Sequence, residues 1–86
     1  MYIIIPRINS FIYKAYPIKC SHYILENNIY YFDTQIRYVD KQLFENCWKY
    51  ISKYEKNIDS TIIDITIEVP KDKISKIVKL EDFTTV

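Results

Sequence analysis

The stretch SHYILENNIYYFDTQIRY, residues 21–38, decides how this chain is read. Two runs of strand-forming residues flank Asn27-Asn28. After glycine, asparagine most readily accepts a positive φ, so the pair predicts a two-residue type I′ turn and a β-hairpin. That turn length sets the register. Glu26 falls opposite Ile29, Leu25 opposite Tyr30, Ile24 opposite Tyr31, Tyr23 opposite Phe32 and His22 opposite Asp33. One face then carries Tyr23, Leu25, Tyr30, Phe32, Ile36 and Tyr38 and reads as core. The other carries Cys20, His22, Ile24, Ile29, Tyr31, Asp33, Gln35 and Arg37 and is mixed. A three-residue loop would slip the register and scramble this separation.

The pattern continues on both sides. Residues 2–5 form a short apolar run that reads as a buried strand stopped by Pro6. Residues 11–16 are a second candidate strand, stopped by Pro17. Across 40–57, Leu43, Phe44, Cys47, Trp48, Ile51 and Tyr54 recur at steps of three and four, which predicts one long helix. Asp40 suits its N-cap, and Asn57 its end. Residues 61–69 alternate strictly, with Ile63, Ile65, Ile67 and Val69 on one side and Ile62, Asp64, Thr66 and Glu68 on the other. That is a half-buried strand, closed by Pro70. Residues 71–80 read as a short C-terminal helix with Ile74, Ile77 and Val78 inward, and 81–86 as a loose tail. The expectation is therefore an α+β fold in a single domain, 1–86. An antiparallel sheet of four to five strands packs on the long helix 40–57.

Composition removes several chemistries. The 86 residues include no glycine. Phosphate-cradling loops, dinucleotide fingerprints and the nucleophile elbow need glycine's backbone freedom, and so do the motifs of two common RNA-binding modules. Twelve basic and eleven acidic side chains leave a net charge of +1, too little to attract a polyanion globally. Isoleucine, lysine, asparagine and tyrosine are heavily used, and lysine outnumbers arginine ten to two. This is the usage of an A/T-rich coding genome, which weakens any reading of the lysines as selected for a basic function. The apolar run at the amino terminus is too short for a signal peptide, and no stretch has the length of a membrane span. Cys20 and Cys47 suit two reduced thiols, so the expected compartment is the cytoplasm, or a host's cytoplasm for a phage-encoded chain.

Few constellations carry chemistry. His22 opposite Asp33, with Tyr31 and Arg37 on the same face, has the residue types of a metal-free ribonuclease: a base, its orienting carboxylate and an anion-binding guanidinium. The same residues also make an ordinary cross-strand polar pair. Cys20, His22 and Cys47 lack the paired spacing of a zinc site, so no metal and no cofactor is expected. Lys41, Lys49, Lys53 and Lys56 would line the outer face of the long helix and could track phosphates, although Glu45 interrupts them. A second lysine group, Lys71, Lys73, Lys76 and Lys79, is diluted by Asp72, Glu81 and Asp82. Nine tyrosines exceed what a thin core needs, so some must be exposed. Thr84-Thr85-Val86 matches a carboxylate-terminal peptide motif too short to weigh.

The residues thus favour a small non-enzymatic protein-binding module over an enzyme. Ile24, Ile29 and Tyr31 make its apolar centre, and His22, Asp33 and Arg37 its rim. Its size and codon bias suit an inhibitor or accessory factor of a phage or mobile element that acts on a larger host protein. A homodimer through the same face is the competing use. The alternative is a nucleic-acid-binding module on the lysine-lined helix. A small ribonuclease-like toxin around His22 comes third. No membrane partner is expected.

Overall fold

The computed structural model describes residues 1–7, 16–48, 51–56 and 61–83. In chain order its elements are β1 (Tyr2–Pro6), β2 (Ile18–Cys20), β3 (His22–Glu26), β4 (Ile29–Arg37), α1 (Lys41–Cys47), β5 (Ile51–Lys56), β6 (Ile62–Pro70), β7 (Ile74–Lys79) and α2 (Leu80–Phe83). Single 3-10 turns lie at Tyr38–Asp40 and Lys71–Lys73. The class is α+β. The strands form two antiparallel sheets, ordered β2-β1-β7 and β3-β4-β6-β5.

The hairpin takes the expected form. Asn27 and Asn28 have φ of 53° and 65°, and the β3–β4 register pairs His22 with Asp33 through Glu26 with Ile29. β4 then pairs with β6 over nine positions, from Ile29 opposite Pro70 to Arg37 opposite Ile62. The alternation of β6 does what its pattern implies. Ile63, Ile65, Ile67 and Val69 are buried, while Ile62 and Asp64 are exposed.

One core lies between the two sheets and α1. Phe32, Ile63, Ile65 and Ile67 of the larger sheet meet Ile4, Ile18 and Cys20 of the smaller one, and Phe44 and Trp48 close the end. The Phe44 and Trp48 rings stack at 6.4 Å. The chain passes between sheets at Ser21, whose backbone N–H and hydroxyl both donate to the Asp33 carbonyl. Beside that crossing, the buried Thr34 hydroxyl donates to the Lys19 carbonyl and joins β4 to β2.

Four sequence expectations are corrected. In place of the sheet of four to five strands, the described residues form seven strands in two sheets. The long helix 40–57 is only Lys41–Cys47, and residues 51–56 are β5, paired with β6. Ile51 and Tyr54 satisfy a helical step, but Ile, Ser and Tyr also suit a strand, and only a strand can pair the second edge of β6. The backbone at Trp48 is already extended (φ −121°, ψ 91°), which ends the helix there. Residues 71–80 are a 3-10 turn followed by β7, with a helix only at Leu80–Phe83. The cause is again long-range. β1 is the central strand of the smaller sheet, and β7 pairs the edge that β2 leaves open. Finally, Leu25, Tyr38 and Leu43, expected to face the core, are 46%, 46% and 60% exposed.

The expected strand at 11–16 lies outside the described residues except for Tyr16. Lys49, Asn57 and Thr84-Thr85-Val86 also lie outside them.

Two substitutions test this scheme by urea denaturation. Asn28→Ala should lower stability by up to about 1 kcal/mol, because alanine lacks the short polar side chain that lets asparagine tolerate the left-handed region, while Asn28→Gly should not. Thr34→Val should cost about 1 kcal/mol, because it removes the part-buried hydrogen bond to the Lys19 carbonyl.

Candidate functional site

Strand alternation puts the sequence-predicted partner-binding residues on one face of the larger sheet, away from the core. β3 contributes His22 and Ile24; β4 contributes Ile29, Tyr31, Asp33 and Arg37. Ile24 pairs with Tyr31, which on its other side pairs with Glu68. Ile24 is 46% exposed, and Ile29 and Tyr31 are half-buried. β3 is an edge strand, and Leu25 beside Ile24 is equally exposed.

The polar end of the face is tied together by side chains. The Thr66 hydroxyl donates to Asp33 Oδ1 at 2.7 Å, and His22 Nδ1 lies 3.5 Å from Asp33 Oδ2. Gln35 Nε2 donates to Asp64 Oδ1 at 2.6 Å, and Lys53 Nζ sits 3.3 Å from Glu55. Arg37 is turned along the chain. Its Nε and Nη2 donate to the Asp40 carboxylate at 2.7 and 3.3 Å, and this bond pushes the guanidinium pKa further up. Asp40 is the N-cap residue of α1, yet its carboxylate serves Arg37 rather than the helix. His22 and Asp33 are therefore a water-facing pair, with side chains 67% and 51% exposed. Arg37 lies four residues further along β4, about 13 Å away at the rise of a strand. The three groups of the ribonuclease-like constellation are not brought together.

The lysine track is also not assembled as expected. Lys41 is on α1, bonded to Glu45 and lying 5.3 Å from the centre of the Tyr54 ring. Lys53 and Lys56 belong to β5, so the four lysines do not share a helix. Cys20 and His22 flank the inter-sheet crossing and part there: Cys20 is fully buried and His22 exposed. Both cysteines are free thiols. Burial pushes the Cys20 thiol up to about 11.

A second site was not anticipated. A cleft of about 750 Å³ opens where the Asn27-Asn28 hairpin meets the turn between β6 and β7. Its lining includes the apolar and aromatic side chains of Tyr23, Tyr30 and Ile77 and the basic ones of Arg7, Lys71 and Lys76. Tyr23 and Tyr30 are diagonal neighbours in the predicted register, which was legible. The lining also takes Ile74, Ser75, Lys76 and Ile77 from β7, where the sequence pattern predicts a helix, so the cleft is not legible in the sequence.

Elsewhere, Tyr38, Val39 and Leu43 form an exposed apolar ridge at the start of α1, with Val39 78% exposed. No family model matches the chain, and no curated protein or solved structure is significantly similar to it.

Thiol chemistry tests the burial of Cys20. At pH 8 a disulfide reagent should modify Cys47 in the folded protein and reach Cys20 only after denaturation. The Cys20 pKa is raised on folding, so the stability it contributes is whole below pH 9.0 and is lost as pH climbs through about 11. Cys20→Ala should therefore lose less stability than the natural protein over that interval.

Proposed function

We propose that the chain is a small protein-binding module that docks through the outward face of the larger sheet and the adjoining β3 edge. The carrying observation is the exposure of Ile24 beside half-buried Ile29 and Tyr31 on a strand face that no described element covers. Burying these side chains against a partner would remove apolar area from water at roughly 25 cal/mol per Å² before association costs. The edge strand His22–Glu26 holds neither proline nor lysine, two common devices that stop edges from pairing. A partner strand added to β3 would gain backbone hydrogen bonds while Ile24 and Tyr31 set side-chain specificity. His22, Asp33 and Arg37 form the rim. His22 and Asp33 hold each other in place, and Asp40 holds Arg37.

The partner in this reading is a larger protein of a host cytoplasm. The chain would act on it as an inhibitor or accessory factor of a phage or mobile element. Size and composition support that part. A second copy of the chain is the competing occupant.

Affinity capture from nuclease-treated extract, comparing the natural protein with three variants of unchanged thermal stability, tests the reading. Ile24→Asp and Tyr31→Ala should each weaken the captured partner by about tenfold or more, as hot-spot losses of 1.4 kcal/mol or greater do. Val39→Asp, on the α1 ridge, should leave capture unchanged. Loss with Val39→Asp alone, or a doubled mass in sedimentation that Ile24→Asp returns to monomer, would overturn it.

A further inference from the structure

The geometry points to a ligand site in the cleft between the hairpin turn and the β6–β7 corner, shaped for a small anionic aromatic molecule of the nucleoside monophosphate class. This site is separate from the sheet face and rests on different residues. Its volume, about 750 Å³, lies in the range of pockets that enclose drug-sized ligands and exceeds what a bare inorganic anion fills.

Charge supplies the first half of the argument. Arg7, Lys71 and Lys76 stand around the cleft with one acidic residue, Asp72, so the four groups carry a net charge of +2 (three positive, one negative). The whole chain carries only +1, so this is a local concentration of positive charge. Among the described residues no carboxylate lies within ion-pair distance of Arg7, Lys71 or Lys76. By contrast, Arg37, Lys41 and Lys53 each have an acidic partner. An arginine fork flanked by lysines is suited to a phosphate.

The aromatic lining supplies the second half. Tyr23 and Tyr30 line the cleft and are half-buried. Their positions are held from behind. Tyr2 meets Tyr23 edge-on at 4.9 Å, and Phe32 stacks on Tyr30 at 5.3 Å. Neither phenol hydroxyl is bonded to a described residue, so each keeps a donor for a ligand. Packed aromatic rings and basic side chains lining one cleft offer a base a stacking surface and its phosphate a countercharge.

The rim is also preorganised. The Lys71 N–H donates to the Asn28 carbonyl at 2.8 Å, which ties the β6–β7 corner to the hairpin turn. The Arg7 N–H donates to the Lys73 carbonyl at 2.9 Å, which ties the end of β1 to the same corner. Binding therefore does not have to pay for ordering the backbone that carries two of the three cations.

Titration of the ¹⁵N-labelled full chain with AMP, GMP, CMP and UMP tests the site, with adenosine, inorganic phosphate and a short single-stranded oligonucleotide as comparison probes. At least one monophosphate should bind with a submillimolar Kd, weakening with salt, and shift the amides of Asn28, Lys71 and Ile77. Lys71→Glu with Lys76→Glu, both exposed, should weaken it about tenfold. Adenosine and phosphate alone should each bind at least about tenfold more weakly than AMP. Ile24→Asp should leave it unchanged, which separates failure here from failure of the docking face. No binding at about 10 mM monophosphate, phosphate as tight as AMP, no response to the lysine reversals, or binding of the oligonucleotide alone would each overturn the assignment.

Discussion

Two consecutive asparagines in the left-handed region carry the organisation of this protein. A chain with no glycine has few ways to reverse direction in two residues, and Asn27-Asn28 uses the one that asparagine tolerates. Because side chains alternate along a strand, that one turn determines which half of the hairpin enters the core. Phe32 and Thr34 go in; Ile24, Tyr31 and Asp33 go out. The same turn offers the Asn28 carbonyl to Lys71, so it also anchors the corner from which β7 departs.

The larger sheet would leave its inner face wet without the smaller one. Burial of Phe32 and the β6 isoleucines requires Ile4, Ile18 and Cys20 to be brought across from β1 and β2. The crossing at Ser21 and the Thr34–Lys19 hydrogen bond hold that arrangement with polar contacts where the sheets join. This geometry separates two surfaces with different chemistry. The outward face of β3 and β4 mixes apolar centre and paired polar rim, whereas the cleft at the β6–β7 corner combines clustered positive charge with tyrosines. Neither surface shares its defining side chains with the other.

Much of the fold and half of the candidate surfaces were legible in residues 21–38 and 61–69. The hairpin register, the outward placement of His22, Ile24, Ile29, Tyr31, Asp33 and Arg37, and the burial of Ile63, Ile65, Ile67 and Val69 follow from turn chemistry and a period of two. Residues 51–56 and 74–79 were read as helix because Ile51 with Tyr54, and Ile74 with Ile77 and Val78, fall at helical steps. Six residues contain too few periods to separate helix from strand; β-branched Ile74, Ile77 and Val78 point to a strand in β7, whereas β5 has only Ile51. The cleft was hidden for the same reason, since part of its lining comes from one of those misread segments.

What the amino-acid sequence determined by itself is local: where the chain turns, where proline stops a strand, and which alternating residues share a face. These depend on φ preferences and a two-residue period, which act over a few positions. The tertiary structure decided which strands are neighbours. β1 acquired β2 and β7, β6 acquired β5, and three distant cations met two tyrosines. Those outcomes depend on pairing every edge of a buried strand across up to 77 residues of chain, as between Tyr2 and Lys79. No local preference carries that information.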